Sequence, residues 1–214
     1  MANSENRILV KDVRQSFMCY WKAEPFPGGN DPTPYFSGTY LLPVDHPQMK
    51  ALNTIIDNLA KAKWPGTVKT SKGIVVPKWK GILAAVKAKG KCFLRDGDTK
   101  PEYDGFPGMM FISARSKIRP NYFDWAKQPI TEESGILYSG CYVNVSIECF
   151  AYTRGNNGIG ARLRGVQFLR KGDAFGGGGP PADEGEFDEI EAPEEDGDST
   201  DENAEVEDYD SMME

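Results

Sequence analysis

With 214 residues, 39% of them hydrophobic, the chain holds enough apolar material for one substantial domain with a tail, or for two small domains. The formal net charge of −7 hides a segregation: the first 171 residues carry all 25 Lys and Arg against 14 acids, a formal +11, while the last 43 carry 18 acids and no base. No apolar run approaches the roughly eighteen residues of a membrane span, and the N-terminus has no signal-peptide core, so the expectation is a cytoplasmic protein without a membrane partner.

In chain order, "RILVKDVRQSFMCYW" (7–21) reads as a long strand and "YFSGTYLLP" (35–43) as a second, separated by the Pro/Gly-rich turn "EPFPGGNDPTP". Asp45-His46-Pro47 is a helix-start signal, after which Met49, Leu52, Ile55, Ile56 and Leu59 recur at helical spacing until Pro65 stops the pattern. Residues 58–95 hold ten basic residues and no acid; within them "WKGILAAVKAKGK" has the makings of a short second helix. "FPGMMFISAR" (106–115) reads as a strand, and so does "YSGCYVNVSIECFAY" (138–152). Asn157-Gly158 then predicts a hairpin turn into "ARLRGVQFLR". Five or more strands, antiparallel in the last hairpin, with one prominent helix, predict a mainly β chain built as a small barrel. Order is expected over residues 1–175. "GGGGPP" suits a flexible linker (176–182), and the acidic residues 183–214 lack the apolar content of a core.

Catalytic signatures are scarce. One histidine, His46, excludes any site needing two from one chain, and its position at a helix start favours a structural role. The four cysteines form no CxxC pair and read as buried thiols, so neither a metal site nor a cofactor is expected. "GNNGIG" lacks the Lys-Ser/Thr of a phosphate-binding loop, and "DGDTKPEYD" has proline where a calcium loop needs glycine. Binding signals are richer. The 24 aromatics often stand beside bases, as in "YWK", "PKWKG", "IRPNYFDW" and "AYTRG". Cations neutralise phosphates, and aromatic faces stack on unpaired bases, a mixture that favours single strands over duplex. Residues 141–152 sharpen the point: Cys141, Val143, Val145, Ile147, Cys149 and Ala151 suit a core, whereas Tyr142, Phe150 and Tyr152 fall on the opposite face.

"SGCYVNVSIECFAYTRGNNGIGARLRGVQFLRKGDAFGG" closely resembles the C-terminal core of bacteriophage single-stranded DNA-binding proteins with an OB-fold. "VRQSFMCYW", "YFSGTYLLP" and "LRDGDTKPEYDGFPGMMFISARSKIRPNYFDW" fit the same pattern in order, over about residues 7–176. The Lys-rich, Trp-containing segment 61–91 is longer and more basic than that pattern requires. The resemblance implies a five-stranded OB barrel that binds and protects single-stranded DNA during phage replication, recombination and repair in an infected bacterium. It also implies that the acidic tail contacts a phage or host DNA polymerase or helicase.

On strand parity, Tyr142, Phe150 and Tyr152 form a stacking platform with Arg154 taking a phosphate at the strand's end. Phe111 and Arg115 share a face, and Lys117, Arg119 and Tyr122 continue the groove, with Arg162 and Arg164 on the neighbouring strand. Lys78, Trp79 and Lys80 add a candidate surface from the basic segment. In the tail, Phe187, Ile190, Tyr209, Met212 and Met213 are the apolar candidates for partner docking. A homodimer is allowed for. The rival readings are an RNA-binding OB module of the cold-shock kind, a magnesium-dependent nuclease or strand-exchange enzyme, and a histone-like duplex binder.

Overall fold

The computed structural model describes residues 4–25 and 32–176. A 3-10 turn (Ser4–Asn6) leads into strand β1 (Arg7–Glu24) and then β2 (Tyr35–Pro43). Helix α1 (Met49–Lys63) follows; β3 (Thr67–Lys69) and β4 (Val75–Pro77) form a hairpin, and α2 (Lys78–Ala88) completes the basic segment. The remaining strands are β5 (Leu94–Asp96), β6 (Met109–Ser116), β7 (Asn121–Phe123), β8 (Tyr142–Tyr152) and β9 (Gly158–Arg170). The chain is thus mainly β with two longer helices, as its patterning predicts. The linker and tail expected at 176–182 and 183–214 lie outside the described residues except for Gly176.

Seven strands form one sheet in the order β5-β6-β2-β1-β8-β9-β7, antiparallel throughout except for the parallel pair β7–β9. Five strands closed by continuous pairing are therefore not what the ladders give, because the sheet is open and its edges are the short β5 and β7. Irregular backbone before β5 spans the space between β9 and β6: Ile159 N–H donates to Lys91 O, Phe93 N–H to Ile159 O, and Ser113 N–H to Phe93 O. A local strap does what a ladder between those two strands would otherwise do.

β1 reaches both neighbours by being long and bulged. Arg7–Arg14 pairs with β8 and Arg14–Glu24 with β2, with register shifts after Val10 and Ser16. Those bulges put Asp12 and Phe17 in the left-handed region, at φ 51 and 44. Where β1 lacks a strand beside it, the turn before α1 substitutes. Gln48 accepts from Lys11 N–H and donates to Leu9 O, while the His46 ring meets Lys11 O at 2.9 Å and accepts from Gln48 N–H. His46 is buried as a brace. α1 begins at Met49 behind Gln48, rather than at Pro47, and lays Leu52, Ile56, Leu59 and Ala60 on the sheet's inner face.

The inner face collects Val10, Val13, Ile112, Val143, Val145, Ile147, Leu163 and Val166 into the main core. A buried polar cluster sits among them. Tyr20 donates to Gln15, its hydroxyl lies 2.8 Å from that of Tyr40, and Gln15 donates to Tyr138 O.

Cys92, Cys141 and Cys149 are buried while Cys19 is half-buried, so a thiol reagent should titrate Cys19 first and the others only at the rate of unfolding. Burial pushes the Cys149 thiol up to about 12 and Cys141 up to about 11, from an ordinary value of 9.0. Unfolded thiols ionise where the folded ones stay neutral. Their contribution is therefore intact below about pH 9 and lost as pH rises through 11 and 12. Tyr20, Tyr40 and Tyr122, also pushed upward by burial, act in the same direction at higher pH. The urea midpoint should fall between pH 8 and pH 10; an unchanged midpoint would mean that these thiols meet water in the native state.

Candidate nucleic-acid interface

The two faces of β8 separate as strand parity requires. Val143, Val145, Ile147 and Cys149 are buried, whereas Tyr142, Asn144, Ser146, Glu148 and Tyr152 are half-buried and Phe150 is 39% exposed. Across the ladder, Phe150 faces Gly160 and Tyr152 faces Gly158. A Cβ on Gly160 would stand 2.7 Å from Phe150 Cζ, and one on Gly158 would overlap the Tyr152 ring. Both rings therefore lie down over bare backbone, with centroids 6.1 Å apart and planes at 44°. Each keeps one face pressed on the sheet and turns the other outward. The hairpin's left-handed glycine is Gly155, at φ 80, within the loop 153–157. Gly158 is already paired, so the Asn157-Gly158 turn signal marks a seat for Tyr152 instead of the turn itself.

Beside the rings, Glu148 gathers three guanidiniums: Arg164 at 3.1 Å, Arg162 at 3.5 Å and Arg7 at 3.9 Å. One carboxylate against three cations leaves this patch net positive and holds the arginines at set positions around the aromatic pair. A bulge makes this possible. Ser146 pairs with Gly165 but Ile147 with Leu163, so Arg164 is the extra residue and both Arg162 and Arg164 remain exposed.

A second set stands where β6 ends. Arg115 lies 4.6 Å and Lys117 5.7 Å over the Tyr35 ring, and Arg119 lies 5.6 Å over Trp21. Two expectations need correction here. Phe111 shares the outward parity of Arg115 yet is only 3% exposed, because the segment before β6 folds Phe106 over it and Leu41 packs alongside. Tyr122 is 4% exposed, stacks on Tyr20 at 4.8 Å and donates its hydroxyl to Tyr20 O. Both rings are core, and neither offers a face to a base.

The remaining candidates are scattered. Tyr142 is half-buried and carries the Arg170 guanidinium 3.4 Å from its ring centroid; Arg170 in turn pairs with Asp12 at 2.8 Å. Arg154 is exposed in the β8–β9 loop. Lys78, Trp79 and Lys80 open α2, where the ammonium groups of Lys61 and Lys80 stand 5.3 and 5.8 Å over the half-buried Trp79 ring. Phe187, Tyr209, Met212 and Met213 lie outside the described residues. Among described residues no cluster of His, Cys, Asp or Glu suits a metal, and no helix is long and apolar enough to cross a membrane.

Pattern reading missed Arg7, Trp21, Tyr35 and the two seating glycines. The alternation "GIGAR" opposite "CFAY" carried the signal for the glycines, since each Gly lies opposite an aromatic once the hairpin is paired. Trp125, 66% exposed, was also missed, and only tertiary structure shows that it stays outside.

Comparison with known proteins bears on the chain as a whole. A family model described as "Enterobacter phage Enc34, ssDNA-binding protein" matches residues 6–200. Protein p50 of Acyrthosiphon pisum secondary endosymbiont phage 1 is 50% identical over 102 residues, which is 48% of this chain and 54% of that protein. The chain thus spans about half the length of that relative. In fold it is similar to the single-stranded DNA-binding protein from bacteriophage Enc34 in complex with ssDNA, with TM-score 0.62 and 24% identity over 81% of this chain and 91% of that one. A further structure of the bacteriophage Enc34 protein gives TM-score 0.61 at 24% identity, covering 82% and 87%.

Proposed function

The chain belongs to the Enterobacter phage Enc34 ssDNA-binding protein family, a family of binding proteins and not of enzymes, and on that premise we propose that it coats and protects exposed single strands during phage DNA replication, recombination and repair. The observation that carries the reading is the outer face of β8 and β9, where Phe150 and Tyr152 lie on Gly160 and Gly158 beside Arg162 and Arg164. Rings with one free face stack on bases of any identity, and only unpaired bases present such faces. Guanidiniums beside them take the phosphates between successive bases. The Arg115, Lys117 and Arg119 cluster extends the same chemistry, with Arg154 and the Lys78–Lys80 segment as outlying phosphate contacts. The five strands β1, β2, β6, β8 and β9, with the strap at 91–93 between β9 and β6, correspond in this reading to an OB barrel.

Binding should be salt-sensitive and largely independent of sequence. With about four to six phosphates neutralised at roughly −0.7 each on single strands, log K should fall with log salt at a slope of about −3 to −4. Fluorescence anisotropy across a salt series, with matched single-stranded DNA, duplex and RNA, tests this. Salt-independent affinity or a several-fold preference for duplex would refute the reading, a preference for RNA would favour the cold-shock alternative, and magnesium-dependent cleavage of the strand would favour a nuclease.

The tail extends the proposal. Residues 183–214 hold 17 acids and no base behind "GGGGPP". We assign them two roles: competing with DNA for the basic surface, and docking on a phage or host polymerase or helicase through Phe187, Ile190, Tyr209, Met212 and Met213. A tethered polyanion acts at high effective concentration, and salt screens it. Deleting 183–214 should tighten DNA binding most at low salt and abolish retention of the partner. Unchanged low-salt affinity with intact retention would reduce the tail to a solubility device.

A further inference from the structure

Between the Glu148 arginine cluster and Tyr142, the outer face of the sheet dips, and the strand registers explain why. One cross-strand row reads Leu9 on β1, Ser146 on β8, Gly165 on β9 and Asn121 on β7. Its two central positions are a serine and a glycine with no large side chain laid over them, so the floor is low. Leu9, 44% exposed, rises on one side; Phe123 and Lys127 rise on the other, and Asn144 and Gln167, bonded to each other at 3.1 Å, close one end. The resulting cleft of about 280 Å³ has no acidic residue in its lining.

We propose that this cleft is a nucleobase subsite, taking one unstacked base of the bound strand between Leu9 and Phe123. The composition matches that ligand. Apolar walls suit the faces of a base, the Ser146 hydroxyl and the second amide hydrogens of Asn144 and Gln167, whose other bonds run to Gln167, Asp12 and Trp125, suit its edge, and a single cation at the rim suits the adjoining phosphate. Continuity supports it as well. Ser146 is four residues from Phe150 along β8, roughly 13 Å at strand rise, with Glu148 and its arginines directly between. A strand stacked on Phe150 and Tyr152 thus crosses the arginines and arrives at the cleft. The subsite rests on the single-strand reading above, but it adds a contact that encloses a base where the platform only supports one.

Ser146→Leu raises the floor from the outer face and leaves the inner packing of β8 untouched. With an oligonucleotide carrying 5-iododeoxyuridine, the native protein should give photo-adducts on the peptide holding Phe123 as well as on that holding Phe150 and Tyr152. In Ser146→Leu the Phe123 adduct should vanish, the Phe150–Tyr152 adduct should persist, and affinity should fall by about tenfold, within the range that one stacked base contributes. The persisting adduct also reports that the variant is folded. Adducts confined to Phe150 and Tyr152 in the native protein, or a variant that binds like the native one, would overturn the subsite and leave the platform standing. Absence of any single-strand binding by the native protein would instead remove the reading on which the subsite rests.

Discussion

Phe150→Ala and Tyr152→Ala should each weaken single-strand binding by roughly 1–3 kcal/mol, about five- to 150-fold, while leaving the salt slope of the native protein in place. The reason lies in what each ring does. It presses one face on a glycine and gives the other to a base, and stacking releases few counterions. Arg162→Ala or Arg115→Ala should behave differently, with a smaller loss in affinity and a slope shallower by about 0.7, one phosphate's share on a single strand. Gly160→Val supplies an internal check. Its branched side chain must displace Phe150, so it should reproduce much of the Phe150→Ala defect although it removes no aromatic group. Titrations at four salt concentrations separate these classes. Equal slopes in all variants would show that rings and arginines have been given the wrong roles.

The second large effect is expected at Tyr122, on stability instead of binding. Its ring is buried against Tyr20 and Trp21, and its hydroxyl reaches Tyr20 O at 3.0 Å. Truncation to Ala should cost about 3–5 kcal/mol, in the range for large buried aromatics, because the hole adjoins the Gln15–Tyr20–Tyr40 cluster and cannot close without breaking it. Tyr122→Phe keeps the ring and loses one hydrogen bond, which should cost about 1 kcal/mol. Urea unfolding of both variants gives the comparison. If Tyr122→Ala kept its native stability and lost DNA affinity, the ring would belong to the groove after all.

What pattern reading recovered and what it missed divide along one physical line. The alternation of β8 and the helical spacing of α1 are local signals with clear periods, and both faces came out as expected. Parity at β6 was right as well, with Met110, Ile112 and Ala114 on the main core and Phe111 opposite. Exposure was the failure. Phe111 is covered by Phe106, from a segment whose path is set by turns at Gly105 and Gly108, and no period in "DGDTKPEYDGFPG" announces that cover. Tyr122 falls in a three-residue strand joining β9 in parallel, a pairing between distant segments that leaves no mark in local sequence. The candidate site was legible as a composition, cations interleaved with aromatics. Deciding which of those rings face water required the third dimension.

The seating of Phe150 on Gly160 and Tyr152 on Gly158 has a consequence for how such a surface can change over generations. Ring and glycine are one unit of volume divided between two strands, so neither position is free to drift alone. A bulkier residue at 160 is tolerable only where 150 has become small, and the same holds for 158 and 152. Viable intermediates between the two arrangements pass through a state that has lost the ring or crowded it. Relatives of this chain should therefore show these positions changing in pairs, and a graft that moves the aromatic residues to another hairpin without their glycines should carry the letters of the platform without its shape.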